Sequence, residues 1–503
     1  MKVKLLSGMM VCCTLLSFGQ MKTSYQAEVF GSAATGEHTP FWMVNHNWGV
    51  TALEAGNFYV RGGVFHEQRL TDDWSFDAGI DLIGGNASSY GNAWIQQLYG
   101  RINWKLLRLD IGSREDYTSL LNPSLSSGDF IHSNNARPLP QIKGSLSDFL
   151  LVPYTKGNFF IKGDFSAGSY LDGKWQENRA LPRNQSYTKG VFSHDKALYF
   201  RWGDINAGRK MQFTFGMMHA TQWGGTLFHY VWDYKKETAN YLTQPQPKSL
   251  DAFMRVVIAK EAAATVSDTT VSESDKIYVS GSQWGGYTFK HDYRLGEHNQ
   301  LSLYLQHFFE DGSGMVFENY SDNLIGLEFS SKNKQAVSGA VLEYIYTRQQ
   351  TGPIHFPEYQ EHPVYRQLHK GNGNDNYYNN VDYISGPSHY GKSLGTPLFL
   401  SPEYNTDGSV NFHGSRIWAW HLGVEGYLSS TLQYRLLLTT GKNWGRYYFP
   451  YTEVHKGFAS QLELIYTCPK SDGLSFQLVT GYDNGEFFGG NTFGGSLAVR
   501  LGF

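Results

Sequence analysis

TFGGSLAVRLGF, residues Thr492 to Phe503, ends the chain and decides its reading. Phe493, Gly495, Leu497, Val499, Leu501 and Phe503 share one face of an extended strand. Gly494, Ser496, Ala498, Arg500 and Gly502 take the other, because successive side chains of a strand point to opposite sides. An amphipathic final strand that stops on an aromatic residue resembles the signal read by the machinery that inserts β-barrels into bacterial outer membranes. A protein that stays in water has no reason to place its last phenylalanine in this way.

The same period of two recurs upstream. Trp74, Phe76, Ala78, Ile80 and Leu82 alternate with Ser75, Asp77, Gly79 and Asp81, and Leu107, Leu109 and Ile111 alternate with Arg108, Asp110 and Gly112. Leu301, Leu303 and Leu305 oppose Ser302, Tyr304 and Gln306; Leu432, Tyr434, Leu436 and Leu438 oppose Gln433, Arg435 and Thr439. A soluble antiparallel sandwich shows this alternation too, so composition has to separate the two. Only 17% of the 503 residues are charged, against roughly 25% in an ordinary soluble domain. Aromatic residues reach 16% and often begin or end the apolar faces, as an interfacial girdle requires. Mean hydropathy is nevertheless −0.40, which suits a wall apolar outside and polar within. Beyond the first residues no apolar run reaches the ~18 residues of a membrane helix. A net charge of −3 gives no reason to expect a nucleic-acid partner.

The N-terminus reads as an export signal over residues 1–20: Lys2 and Lys4 precede an apolar stretch from Leu5 to Phe18 that is too short to span a bilayer. Cys12 and Cys13 lie within it, behind Met9, Met10 and Val11 rather than a small-residue lipid-attachment pattern. Removing the signal leaves Cys468 alone, so no intramolecular disulfide is expected. Residues 21–503 then form one domain, an all-β, transmembrane antiparallel barrel with long extracellular loops. Glu261 to Lys276 reads as a flexible loop, and the stretches 178–188 and 351–388, rich in Pro, Gly, Asn, His and Tyr, as further loops. Between residues 134 and 153, Pro138 and Pro140 forbid a central strand, and the following Ile142, Leu146, Phe149 and Leu150 suggest a short periplasmic helix or a plug filling the lumen.

Eight longer motifs, in order along nearly the whole mature chain, carry a family resemblance. They are NARPLPQIKGSLSDF (Asn135–Phe149), VPYT (Val152–Thr155), HATQWGG (His219–Gly225), HFFEDGSGM (His307–Met315), ENYSDNLIGLEF (Glu318–Phe329), DNYYNN (Asp375–Asn380), GTPLF (Gly395–Phe399) and HLGVEG (His421–Gly426). On them the chain resembles the capsule assembly protein Wzi family of outer-membrane barrels, in its Bacteroidetes branch. The resemblance implies 18 strands, a barrel occluded by a helical element, and a non-catalytic lectin that retains capsular polysaccharide at the cell surface. Its implied partners are capsular or extracellular polysaccharide, outer-membrane lipid and, during biogenesis, the barrel-insertion machinery. The external loops of the enterobacterial relatives differ, so no sugar-binding residue is carried over from them.

The residues themselves offer two sites. Asp375, Asn376, Tyr377, Tyr378 and Asn379 combine aromatic faces for stacking on a sugar with polar groups for its hydroxyls, and they equally suit a tyrosine-rich loop packed over the barrel mouth. Asn135, Arg137, Pro138 and Pro140 suit a gate or plug, or a structural hairpin whose arginine satisfies carbonyls. Glu310 and Asp311 before Gly312 and Gly314 read first as a turn. With no HExxH, clustered Cys/His or GxSxG pattern, no catalytic, metal or cofactor residue is assigned and no enzyme activity is expected. A porin-like channel is the alternative to the glycan-holding barrel, with an outer-membrane hydrolase third.

Overall fold

A computed structural model of the chain describes residues 21–86, 90–234, 237–259, 280–351 and 375–503. The expected signal, 1–20, and the expected flexible loop, 261–276, lie outside the described residues. Eighteen strands form the wall. The first nine are β1 (Met21–His38), β2 (Glu54–Arg69), β3 (Trp74–Gly85), β4 (Ala93–Trp104), β5 (Leu107–Ser113), β6 (Gln141–Leu146), β7 (Phe159–Ser169), β8 (Phe192–Trp202) and β9 (Met211–Trp223). The rest are β10 (Ser282–Leu295), β11 (Asn299–Phe309), β12 (Asn323–Ser331), β13 (Gly339–Tyr346), β14 (Ile417–Tyr427), β15 (Leu432–Gly445), β16 (Pro450–Thr467), β17 (Leu474–Asn484) and β18 (Thr492–Gly502). Each pairs antiparallel with the next, an up-and-down order with no crossover.

The wall closes on itself. β18 returns to β1 in unbroken register from Gln26↔Gly502 to Ala34↔Gly494. At the end of the seam Tyr25 N donates to the Phe503 carbonyl at 2.7 Å, Phe503 N donates to the Tyr25 carbonyl at 3.0 Å, and the two rings stack 5.3 Å apart. The terminal aromatic residue thus locks the closing strand to the first.

Alternation sorts side chains as the composition requires. In β17, Phe476, Leu478 and Tyr482 are exposed on the outer face, while Asp483 is fully buried inside. In β3, Ile80 and Leu82 point out and Asp81 points in, where Arg61 pairs with it. Trp74 and Trp104 stack 6.0 Å apart on the outer face at one rim, and Tyr344 and Trp420 lie 5.0 Å apart near the other. An apolar outer belt with aromatic edges is the surface that lipid demands.

The two ends of the cylinder differ. Short turns, such as 70–73, 105–106, 296–298 and 428–431, lie at one end together with both ends of the described chain. Long connections, among them 39–53, 114–140, 170–191 and the described parts of 224–281 and 347–416, lie at the other.

The stretch 134–153 contains no helix, contrary to the expectation from its apolar spacing. Gln141–Leu146 is wall strand β6, paired with β5 and β7, and Leu150–Leu151 adds a short rung to β7. The prolines stand just before the strand, where no ladder N–H is required, and the Pro140 carbonyl accepts from Ser169 N at 3.1 Å. Ile142, 57% exposed, faces outward with the belt.

An arginine in the outer belt should therefore be costly. Leu478→Arg is expected to lower folding stability in lipid vesicles by about 2–4 kcal/mol. Denaturant titration of the variant measures this, and a value near zero would mean that this face is wet.

Candidate functional site

The lumen is filled. Segment 114–140 enters from the long-loop end, runs down the inside of the wall and returns. Its lowest part, Leu120 to Ser127, is held by side chains projecting from the wall. Glu343 of β13, fully buried, accepts from Ser126 Oγ at 2.7 Å and from Ser127 N at 2.7 Å, from the Ser127 hydroxyl, and from Tyr304 OH at 2.6 Å. Lys290 Nζ donates to the Leu120 carbonyl and to Glu328, both at 2.9 Å, and Asn122 Nδ2 donates to Glu328 at 3.0 Å. His421 Nε2 bonds the Leu125 carbonyl at 2.8 Å, and Arg435 donates to the Ser124 carbonyl at 3.2 Å. Glu328 lies three residues from the short-turn end of β12, so the plug reaches that mouth. A cavity of about 320 Å³ remains beside Ser124, lined by Glu425, Arg435 and Glu463.

Two other segments complete the filling. Phe41 and Trp42 from 39–53 and Tyr377, Tyr378, Phe399 and Phe412 from 375–416 join Leu121, Leu125, Phe130 and Ile131 in one apolar core with Tyr304, Phe308 and Trp284 of the wall. Burial of this kind stabilises by ~1.5–3 kcal/mol per large side chain. The plug is thus a packed interior, not a loose flap.

This core corrects the expected sugar site. Tyr377 and Tyr378 are 0% and 1% exposed, and a sugar cannot stack on a ring whose faces are covered. Tyr377 OH donates to Asp322 Oδ2 at 3.1 Å and accepts from Asn319, while the Tyr378 hydroxyl donates to the Phe130 carbonyl. Asp375, Asn376 and Asn379 are half-buried around them. Asp311 caps the short helix Gly312–Met315 through Ser313 N and Gly314 N. Burial, then the nearby Asp311 charge, pushes the Asp375 carboxyl up to about 8.

The four residues expected at a gate lie on the returning arm of the plug. Asn135, fully buried, donates to the Ser393 carbonyl at 3.0 Å and accepts from His46 N at 3.3 Å. The Arg137 guanidinium lies 5.4 Å from the rings of both Tyr90 and Tyr390 and donates to the Ile95 carbonyl. These contacts tie the three filling segments and β4 together at the long-loop end. Pro138 borders a cavity of about 90 Å³ with Arg114, Asp116, His132 and Lys143, and Pro140 leads into β6.

The alternation His229-Tyr230-Val231-Trp232 carries a feature that the sequence reading missed. Strands Thr226–Asp233 and Thr238–Pro245 form a hairpin joined by Tyr187–Lys189 into a small sheet at the long-loop end. Phe228, Tyr230 and Trp232 share one face, where Tyr241 pairs directly across from Tyr230 and Tyr187 across from Phe228. Tyr187 and Phe228 stack at 4.9 Å and 5°, and Lys189 Nζ sits 5.4 Å over Phe228 while pairing with Glu177 at 2.6 Å. The inner end of this row packs on Ala180 and Val410; at the outer end Trp232 is 41% and Tyr234 85% exposed. Polar groups flank it: Tyr241 OH donates to the Gln185 carbonyl at 3.2 Å, and Ser186 Oγ accepts from Tyr230 N at 3.0 Å. Aromatic faces beside hydroxyl and amide groups can bind the C–H and O–H faces of a sugar. Among the described residues, no group of three His, Cys, Asp or Glu side chains is placed to hold a metal.

No protein-family model and no curated protein matches the sequence. Solved structures do match. The chain is similar to Wzi of Escherichia coli, described as an outer-membrane protein involved in group 1 capsule assembly and a carbohydrate-binding β-barrel. The TM-score is 0.56 at 13% identity, covering 95% of this chain and 84% of that one. It is also similar to OccK3 (OpdO) of Pseudomonas aeruginosa, with a TM-score of 0.48 and 11% identity over 96% of each chain. At 13% identity the likeness to the Escherichia coli barrel shows the fold alone, a closed outer-membrane-type barrel.

Two outcomes follow from the plug. Glu343→Ala removes the acceptor of four hydrogen bonds and is expected to open steady current in planar bilayers where the native barrel stays closed. Large steady currents from the native protein would refute occlusion. For Asp375, the folded pKa of about 8 lies above the ordinary carboxyl value, so the folded protein holds this proton more tightly. Its stabilising contribution is full in acid and is lost as pH rises through about 8. Asp375→Asn should flatten the fall of the thermal midpoint in detergent between about pH 5 and pH 9.

Proposed function

We propose that this barrel stands in the outer membrane, with its long-loop end outside, and holds an extracellular or capsular polysaccharide there without catalysis. Outer-membrane barrels carry short turns on the periplasmic side and long loops outside, which supports the orientation. The observation that carries the reading is the packed lumen. A wall filled by a hydrogen-bonded, apolar-cored plug is suited to anchoring rather than to passing solutes, and this disfavours the porin-like alternative. The aromatic face of Phe228, Tyr230, Trp232 and Tyr241 at the long-loop end is the surface best built to take a sugar chain. The description of the Escherichia coli barrel as carbohydrate-binding supports the same direction. One ring row binds weakly, but a polymer meeting many copies on one cell is held through multivalency.

Deletion of the protein is expected to release polymer into the medium while its synthesis continues. Polymer that stays cell-bound after deletion would refute the retention role. On a glycan array the Tyr230→Ala/Trp232→Ala double variant should lose about tenfold or more of the polymer binding of the native barrel. Unchanged binding would move the site elsewhere on the outer face.

A further inference from the structure

Near the long-loop rim, on the lipid side of the wall, two arginines share a cleft that the glycan reading does not use. β13 and β14 lie side by side, with Ile345 and Ile417 buried inward. The ladder continues past them, since Thr347 N donates to the Ile417 carbonyl and Arg416 N to the Gly445 carbonyl. Thr347 is buried inside, so alternation turns Tyr346, Arg348 and Arg416 to the outer face. An open cleft of about 500 Å³ lies among Arg348, Arg416, Tyr320, Tyr346 and Tyr447.

Each guanidinium lies against an aromatic ring. Arg348 lies 4.6 Å over Trp444, Arg416 lies 4.8 Å over Tyr447, and Arg416 Nε donates to the Arg348 carbonyl at 3.1 Å. Among the described residues no carboxylate forms an ion pair with either arginine. Two like charges face one cleft; the Asp322 carboxylate that acts on Arg416 is buried and makes no ion pair with it. The guanidinium N–H groups that no described residue engages suit an oxyanion bound through paired hydrogen bonds.

The level of the cleft says what brings the anion. Tyr344 and Trp420, then Trp418 with Lys442 at 5.7 Å, form the aromatic edge of the outer belt a few residues below it on the same face. Aromatic girdles of barrels sit at the headgroup level. The arginines stand just beyond that edge, where the phosphates of the outer leaflet lie. A polymer held above the barrel approaches from the open end instead. Tyr320, 72% exposed, and Tyr447 add faces for a sugar ring next to the phosphate.

We propose that this outward cleft binds the phosphorylated sugar headgroup of an outer-leaflet glycolipid, with Arg348 and Arg416 clamping its phosphate. The site requires the membrane placement given above but not the retention of polysaccharide. Bound lipid would fix the barrel among its neighbours on this flank of the wall.

Native mass spectrometry of the full barrel in detergent tests the site with four probes: bisphosphorylated lipid A, its dephosphorylated form, phosphatidylglycerol and inorganic phosphate. The native protein is expected to retain the bisphosphorylated lipid A. The dephosphorylated form, and an Arg348→Gln/Arg416→Gln double variant with native heat-dependent gel migration, should each lose about tenfold or more of that binding. Phosphatidylglycerol and inorganic phosphate should bind at least about tenfold more weakly. Equal retention of the dephosphorylated lipid by the native protein overturns the proposal without recourse to a variant. Equal binding of phosphatidylglycerol reduces the cleft to an unspecific lipid contact and overturns it too. Competition by a uronic-acid oligomer in place of the lipid would transfer the cleft to the polymer.

Discussion

Hydrocarbon offers no partner to a backbone N–H or carbonyl, and each group left unpaired in it costs several kcal/mol. Every other feature depends on how the chain meets that constraint. A flat sheet of eighteen strands would leave two long bare edges; the β1–β18 seam removes both. Closure then forces each strand to present one face to lipid and one to the lumen. The alternation in the sequence is the chemical record of that division. The last strand bears most of the burden, because its pairing with Met21–His38 turns a ribbon into a cylinder. Its terminal phenylalanine completes the final pair of backbone hydrogen bonds with Tyr25.

Once the wall is closed, the interior is a place where charge can stand, provided that it is paired. Arg61 meets Asp81 and Glu115, Arg101 meets Asp110, and Arg435 meets Glu463. Breaking such a pair strands a buried charge, at a cost of ~3–5 kcal/mol. The plug makes use of the same wall groups. Glu343 and Glu328, which a water-filled channel would leave hydrated, instead accept from two serine hydroxyls, one backbone N–H, an asparagine, a lysine and a tyrosine. Satisfying these acceptors from the plug is what packs the lumen of this wall. The chemistry left for the surroundings lies at the long-loop rim, as an aromatic hairpin above and an arginine cleft on the flank.

The barrel was legible in the sequence because period-two patterning is local. Asp81 between Ile80 and Leu82, or Ala498 between Leu497 and Val499, declares its face without knowledge of any partner. What depended on tertiary contact was hidden. The run after Pro140 has apolar spacing compatible with a helix, and only its neighbours on both sides make Gln141–Leu146 a strand. Tyr377 and Tyr378 have the composition of a sugar-binding loop, yet their rings are consumed by Phe308, Phe399 and Phe412. The converse error concerns Phe228, Tyr230 and Trp232, whose i, i+2 spacing was visible but lay inside a stretch with no obvious partner until Tyr241 came opposite. Asn135 and Arg137 suited either a gate or a hairpin whose arginine satisfies carbonyls; their contacts with Ser393, His46 and Ile95 are tertiary and had no local sign. Glu343, which holds the plug segment to the wall, gave no local sign at all.

Closure in the stated register is the claim on which the account stands, and a disulfide across the seam tests it most directly. Val29 and Val499 face each other on β1 and β18. In a Cys468→Ser background, Val29→Cys with Val499→Cys should oxidise to one intramolecular bond that joins the two ends of the wall and alters gel migration under non-reducing conditions. Val29→Cys with Leu497→Cys, two residues off register, should stay largely reduced. Failure of the first pair to cross-link in a folded barrel, or equal oxidation of the second, would contradict the closed wall described here.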